Sequence, residues 1–336
     1  MPAARLIHVD DSLPGIGRER AGVGWRYRDA KGKIIRDREE IDRLNAIALP
    51  PAYEDAWFCP APNGHILATG YDARGRKQYR YHPEFRLARE ADKYDRCAAF
   101  GRTLPLLRAR LQGDLARRTL CRDRIVAAVV RLLDLAALRV GNEEYTAANK
   151  SFGATTLRQR HATPSGKTLR LAYRAKGGTK REVTISDRNL ATLVRRLQDL
   201  PGQHLFQYED EDGLCAVGSS DVNAYIREAM GGDFSAKHFR TWSASVEAFA
   251  FLHAAPEPPT LKAMLAHVAD RLGNTPAVAR KAYIHPAMIA AAQRRNDFAA
   301  EAGPLPRATR YLSRTERGFL AWIERAPDAA ALLRSA

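Results

Sequence analysis

The spacing of apolar positions changes character partway along this chain. From about residue 20 to 82 the apolar residues come in short alternating runs broken by Gly, Asp and Pro, the period of half-buried strands. Trp25–Asp37 (WRYRDAKGKIIRD) predicts a hairpin around Ala30-Lys31-Gly32, and His65–His82 (HILATGYDARGRKQYRYH) predicts a second. Between them REEIDRLNAIAL predicts one helix, stopped by Pro50-Pro51. Beyond Pro83 the runs lengthen to a helical period. Asp123–Leu138 (DRIVAAVVRLLDLAAL) is apolar on most of its circumference, so it predicts a buried helix ending at Leu138-Arg139. DRNLATLVRRLQDL, SSDVNAYIREAM, SAKHFRTWSASVEAFAFLHA, TLKAMLAHVADRL and SRTERGFLAWIERA predict further helices. One β island interrupts them: Lys167–Ile185 (KTLRLAYRAKGGTKREVTI) alternates, turns at Gly177-Gly178 and alternates again. The expectation is an α+β protein, with a small β-rich N-terminal domain over 1–90 and a larger, mainly helical domain over 91–336 that carries a β-hairpin.

Composition narrows the partner. The chain has 336 residues and carries 54 Lys+Arg against 38 Asp+Glu, a formal net charge of +16 that is mostly arginine. Solubility alone does not require so lopsided a surface, so a polyanionic partner is expected, and the planar guanidinium suits forked contacts to phosphate. Cys59, Cys97, Cys121 and Cys215 form no CxxC pair. They suggest neither a disulfide framework nor a zinc site, and point to a reducing compartment, the cytoplasm. No signal peptide and no apolar run of membrane-spanning length is found, and the basic residues do not gather on one amphipathic helix, so no membrane role is expected. No GxxxxGK[ST] loop is present and no compact acidic or His/Cys cluster, so neither a nucleotide cofactor nor a metal is expected. Nucleic acid is the partner that remains.

Two stretches concentrate the charge. Ala154–Arg181 holds eight basic residues, Arg158, Arg160, Lys167, Arg170, Arg174, Lys176, Lys180 and Arg181, and no acidic one. Tyr71–His82 interleaves Arg74, Arg76, Lys77 and Arg80 with Tyr71, Tyr79 and Tyr81; such mixtures can meet phosphates and bases together. Gly273–Pro286 (GNTPAVARKAYIHP) is of another kind. Thr275 and Pro276 read as an N-cap followed by Pro at the first helical position, which puts Asn274 just outside the helix start. Tyr283 lies two turns on, behind Arg280 and Lys281, an escort that neither a surface nor a core tyrosine needs. Arg139 at the end of the apolar helix, Lys176 at the hairpin tip, and Lys237 with Arg240 on one face of the SAKHFRTWSASVEAF helix are the other candidates. Taken singly each has a plain alternative. Arg139 could pair with Glu143 or Glu144, Lys176 could be a solvated turn residue, and Tyr79 and Tyr81, sharing one face of a strand, could be core.

Taken in order, Arg139, Lys176, Lys237-x-x-Arg240, Asn274 and Tyr283 resemble the type IB DNA topoisomerases, particularly the small poxvirus-like ones found in bacteria. The resemblance runs from Trp25 to about Arg295 and includes LPPAYEDAWFCP and GHILATGYDARGRKQYRYH, which look like that family's DNA-gripping β domain. It implies a clamp around double-stranded DNA and a cell location with the nucleoid. It also implies a tyrosine, Tyr283, that cuts one strand to leave a 3′-phosphotyrosyl link, lets supercoils relax and is released on resealing. Arg139 and Arg240 would grip the non-bridging phosphate oxygens, Lys176 would be the general acid for the leaving 5′ oxygen, and Lys237 would support the same phosphate. Asn274 stands where most members carry histidine; it can donate a neutral hydrogen bond but cannot become cationic, so a lower rate is implied. Gln78, Tyr79 and Tyr81 match the family's Gln-Tyr-x-Tyr, Tyr145 falls on another DNA-contact position, and Arg76 lies in the same basic-aromatic strip. Neither ATP nor metal would be needed, because the phosphotyrosyl bond conserves the phosphodiester's energy, and one chain would hold the whole site as a monomer. Two alternatives stay open: a tyrosine site-specific recombinase, which usually shows His-x-x-Arg at the second arginine, and an architectural DNA-binding protein without catalysis.

Overall fold

The computed structural model describes residues 5–211 and 213–334. They fall into two units that divide between Ala91 and Asp92. In the first, β1 (Ile16–Ala21), β2 (Gly24–Arg28), β3 (Glu54–Phe58), β4 (Ile66–Tyr71) and β5 (Lys77–Tyr81) form an antiparallel sheet in the order β2-β1-β3-β4-β5. The one helix between them, α1 (Arg38–Ala46), starts where Asp37 accepts from the Glu39 amide. It buries Leu44 with Ile16, Tyr27, Leu49, Phe58 and Ala68. No β5 residue joins that core, and this leaves Tyr79 and Tyr81 42% and 43% exposed at the sheet edge.

The hairpin expected at Ala30-Lys31-Gly32 is a short one, an antiparallel bridge between Arg28 and Ile34 flanked by backbone bonds from the Asp29 amide to the Lys33 carbonyl and from the Ile35 amide to that of Tyr27. There the Asp29 carboxylate closes the loop by accepting from the amides of Lys31 and Lys33, both at 2.9 Å. The true partner of β2 is the upstream strand β1, whose IGRERA sequence offers too few apolar positions to be read as a strand. The second expected hairpin is β4–β5.

The second unit opens within a helix that runs through the division, α2 (Pro83–Leu115). It continues as α3 (Arg122–Ala136), α4 (Glu143–Asn149), β6 (Ala162–Ser165), β7 (Thr168–Arg174), β8 (Lys180–Ser186) and α5 (Arg188–Gln198). Next come β9 (Gln207–Asp210), β10 (Gly213–Ala216), α6 (Ser219–Met230), α7 (Ala236–Ala254), α8 (Leu261–Leu272) and α9 (Pro276–Ala282). The chain closes with α10 (Pro286–Arg294), α11 (Phe298–Ala302), α12 (Arg314–Ile323) and α13 (Ala329–Arg334). The chain is therefore α+β. The β island is a three-stranded antiparallel sheet, β6-β7-β8, rather than a lone hairpin, and β9–β10 is a hairpin that periodicity did not show.

The core is built on α3, in which every residue from Ile125 to Val130 is buried, as a helix apolar on all sides must be. It packs against α6, α7 and β9. Burying each Ile, Val or Leu there contributes about 1.5–3 kcal/mol. The helix stops earlier than its apolar run suggests, because Ala137 turns left-handed (φ 48°) and returns its amide to the Leu133 carbonyl. Arg139 therefore stands in the loop beyond the helix, not at its end.

At the C-terminal end, α12 lays Phe319 against Trp242 and Phe249 of α7. An ionic knot secures it: Arg108 of α2 donates to Asp134 of α3 and to Glu316 of α12, each at 2.7 Å, with the Asp134 side chain 2% exposed. Removing the guanidinium would take the shared cation from both carboxylates, leaving Asp134 only the longer contact with Arg131 at 3.4 Å. Arg108→Ala is therefore expected to destabilise the protein by about 3–5 kcal/mol in denaturant unfolding, far more than an exposed arginine would.

Candidate active site

The loop that follows α3 is held by its own backbone. The Ala154 amide donates to the Arg139 carbonyl at 2.8 Å and the Thr155 amide to that of Val140 at 2.7 Å. Gly153 allows this approach, since a Cβ there would stand 2.6 Å from the Gly141 nitrogen and 2.7 Å from the Arg139 oxygen. Arg139 is thereby aimed across the unit, where its Nη2 donates to Asn274 Oδ1 at 2.9 Å. No ion pair joins Arg139 to Glu143 or Glu144; Glu143 pairs with Arg158 instead.

Asn274 is placed by a pair of turns. Its amide donates to the Ala269 carbonyl at 2.9 Å as α8 ends, and Thr275 then caps α9 by accepting from the Val278 amide, with Pro276 in the first turn. With Oδ1 taken by Arg139, Nδ2 is buried and has no partner among the described residues. Arg240, 4% exposed on α7, donates to the carbonyl of Ala137, where α3 ends, and to that of Leu272, where α8 ends, the latter at 3.5 Å. Its Nε is also unpartnered. No described carboxylate pairs with Arg139 or Arg240.

Tyr283 is the cap residue of α9, and the Arg240 guanidinium carbon lies 4.5 Å from its ring centroid. Burial alone would raise the phenol's pKa; the charge and hydrogen bonding of Arg240, then of Arg139, outweigh it and hold the pKa below the ordinary tyrosine value. The same burial lowers the pKa of Arg240. The turn bearing Tyr283 is braced by α2, where Tyr94 Oη donates to the Lys281 carbonyl at 3.2 Å and Lys93 Nζ to that of Ala282 at 3.1 Å. These two supports lie nearly two hundred residues away in sequence and carry no motif, so nothing in the chain marks them beforehand. Below the turn His285 is buried, its Nδ1 accepting from the Ala287 amide at 3.1 Å. Burial, aided by the nearby charge of Lys93, pushes its pKa down to about 4.

Lys176 sits in a tight turn, Lys176–Gly178, at the tip of β7–β8. It makes no described hydrogen bond or ion pair, lies 5.8 Å from the Tyr145 ring centroid, and shares with Tyr145 and Arg139 a cleft of about 200 Å³. Lys237 is not drawn in. It is exposed on the first turn of α7 while Arg240, three residues on, is buried, so the two do not share one environment. Arg280 and Lys281 are exposed beside Tyr283, without an ion pair among the described residues.

The N-terminal candidates divide. Tyr79 and Tyr81 are not core; their exposed rings stack at 5.7 Å with planes 10° apart. Arg76 and Gln78 are engaged within their own turn, donating to Asp72 at 2.7 and 3.1 Å, and the Arg76 fork holds that carboxylate's pKa at about 2. Among the described residues no helix is long and apolar enough to cross a membrane, and no three His, Cys, Asp or Glu side chains group to hold a metal ion.

Comparison with known proteins gives separate matches for the two parts of the chain. Residues 82–301 match the family model of the eukaryotic DNA topoisomerase I catalytic core, and residues 24–72 that of the bacterial DNA topoisomerase IB N-terminal domain. The chain is 30% identical over 287 residues to DNA topoisomerase 1B of Acanthamoeba polyphaga mimivirus, covering 81% of this chain and 85% of that protein. It is 25% identical over 181 residues to DNA topoisomerase 1 of Mycosarcoma maydis, covering 48% of this chain and 18% of the relative. Among solved structures, the XerH site-specific recombinase bound to its difH substrate aligns with a TM-score of 0.34 at 14% identity over 63% of this chain and 55% of that one, too slight a likeness to argue from.

Two outcomes test the site's electrostatics. In ultraviolet difference titration, with the Tyr283→Phe variant as the blank, Tyr283 should ionise below an ordinary tyrosine's value of about 10, and Arg240→Ala should move it upward. His285 is held neutral in the fold, so its stabilising effect is complete above the ordinary histidine value of 6.5 and is lost as pH falls toward about 4. Denaturant unfolding should show that loss, up to about 1.4 kcal/mol per pH unit within the window. His285→Asn, which keeps the acceptor but cannot titrate, should flatten it.

Proposed function

This chain belongs to the type IB DNA topoisomerase family and is a type I topoisomerase, and on that premise we propose that it relaxes supercoiled duplex DNA by transient cleavage of one strand through Tyr283, without ATP or metal. The observation that carries the reading is that Arg240 and Arg139 both act on the Tyr283 phenol and Asn274 holds Arg139, with two buried donors, Arg240 Nε and Asn274 Nδ2, left unpartnered among the described residues and no described carboxylate neutralising either arginine. Such a place favours an anion, and a phosphodiester brings one.

In the proposed reaction the Tyr283 phenolate attacks the phosphorus, the bond from phosphorus to the 5′ oxygen breaks, and a 3′-phosphotyrosyl link forms. The lowered phenol pKa makes the phenolate easier to form than that of an ordinary tyrosine. Arg139, Arg240 and Asn274 donate to the non-bridging oxygens as charge builds on them; losing one such donor typically costs about 100- to 1,000-fold in rate. The departing 5′ alkoxide is a stronger base than phenolate and takes a proton from Lys176 as it leaves. Resealing runs the same steps backward, Lys176 recovering the proton as the 5′ hydroxyl attacks. The exposed stacked pair Tyr79–Tyr81, together with Tyr145 beside Lys176, offers ring faces to the duplex. Arg280, Lys281 and Lys237 contribute exposed charge to the DNA backbone, and binding would weaken steeply with salt. One chain carries every residue used, which favours a monomer.

Purified protein is expected to relax a supercoiled plasmid in EDTA without ATP and to leave a denaturant-trapped covalent adduct, with both lost in Tyr283→Phe. An adduct without relaxation would favour a recombinase. DNA binding unchanged in the mutant, with neither adduct nor relaxation in the wild type, would favour an architectural protein.

A further inference from the structure

Arg181 belongs to the basic run Ala154–Arg181 and reads there as one more phosphate contact. The structure turns it inward. It stands on β8 directly across from Tyr173 of β7. Its guanidinium lies over Gly273, where a Cβ would fall 2.6 Å from Nη1 and 2.9 Å from Cζ; Gly273 is itself left-handed, at φ +62°. Nη2 donates to the Arg271 carbonyl at 2.7 Å and Nη1 to that of Asp270 at 3.3 Å. These are carbonyls of the last turn of α8, which carries the negative end of the helix dipole; that of Asp270 also accepts from the Gly273 amide at 3.1 Å. Asn274 follows α8 directly, and Tyr283 follows at the end of α9. Five residues before Arg181, on the same hairpin, is Lys176, which makes no described hydrogen bond of its own.

We infer that Arg181 is a positioning residue that fixes the Lys176 hairpin to the end of α8, and so sets the separation between the group that protonates the leaving oxygen and the groups that hold the phosphorus. The fork is what suits arginine to this place, because it reaches two successive carbonyls at once and a single ammonium does not. Gly273 is the matching half, since any side chain there would displace the guanidinium. Arg240 caps the neighbouring Leu272 carbonyl from α7, so the end of α8 is a joint at which the hairpin, α7 and the nucleophile's segment meet. The inference rests on the reading of Tyr283 and Lys176 given above.

A sulfur at the bridging 5′ position of the scissile phosphate separates the roles, because a thiolate is a weak base and leaves without a proton. Single-turnover cleavage of oxygen and sulfur duplexes would be measured for wild type, Arg181→Ala, Arg181→Lys, Lys176→Ala and Arg240→Ala. Arg181→Ala should slow oxygen cleavage on the order of 100-fold, the usual scale for a displacement of about 1 Å at a reacting centre. It should recover most of that loss with sulfur, as Lys176→Ala does. Arg181→Lys should behave in the same way, and Arg240→Ala should stay slow with both substrates. If Lys176→Ala is rescued by sulfur while Arg181→Ala is slowed equally on both substrates, or on neither, the positioning role is overturned and the catalytic reading stands. If the wild type forms no adduct with either substrate, the catalytic reading itself falls. Should Arg181→Ala fail to fold by circular dichroism, Arg181→Lys and Gly273→Ala carry the same comparison from the two sides of the contact.

Discussion

Arg240 keeps a positive charge at 4% exposure with no described carboxylate beside it, and much of the second unit is arranged to make that tolerable. Taking a guanidinium out of water costs several kcal/mol unless something negative meets it. What meets it here is the backbone: the carbonyl of Ala137 where α3 ends and that of Leu272 where α8 ends. Helix C-termini carry roughly half a negative charge in their unsatisfied carbonyls, enough to hold an arginine without cancelling it. A carboxylate would have stabilised the fold and neutralised the site. Helix ends leave a net positive potential, which acts to hold the pKa of Tyr283 below the ordinary tyrosine value.

The same device recurs. Arg181 is held by the carbonyls of Asp270 and Arg271, and Arg139 by the neutral amide of Asn274. Arg139 and Arg240 are therefore fixed in direction without a described carboxylate partner, the condition for the charge stabilisation proposed above, while Arg181 is the contact inferred to hold the hairpin. Their supports are well packed: α3 is buried from Ile125 to Val130, α12 packs Phe319 on Trp242 of α7, and the Arg139 loop is pinned against Gly153. Lys176 is the exception, exposed on a turn and tied down only through the strands behind it. That difference fits the roles proposed above, since grips on a phosphate need fixed geometry whereas a proton donor must reach an oxygen that departs.

Several of these features could be read from the chain. The period of apolar residues marked most of the helices and the β island, since a helix buried on all sides or an alternating strand writes its environment into its own residues. The cap Thr275-Pro276 was legible for a similar reason, being satisfied within one turn. The order of Arg139, Lys176, Arg240, Asn274 and Tyr283 was legible as a motif. Other features were not. Strand β1 lacks an alternation strong enough to stand out, so its long pairing with β2 was not read, while the hairpin expected further on is present only as a short bridged turn. Lys237 and Arg240 looked equivalent at a spacing of three, yet α7 turns one toward solvent and buries the other. Lys93 and Tyr94 carry no signal at all, because the turn they support is brought to them only by folding.

Local chemistry thus settled which segments became helices and strands, and it settled the inventory of cations, amide and phenol from which a site could be made. Folding decided which of many arginines would serve. Within Ala154–Arg181 the basic residues look alike in sequence, yet Arg158 pairs with Glu143 and Arg181 caps α8, while Lys176 is left exposed beside Arg139 and Tyr145. An arginine's role follows from what its guanidinium meets, and here it meets the ends of helices that lie far away in the chain. Periodicity reports the face an element buries; it carries no record of the distant helix end that comes to rest against it.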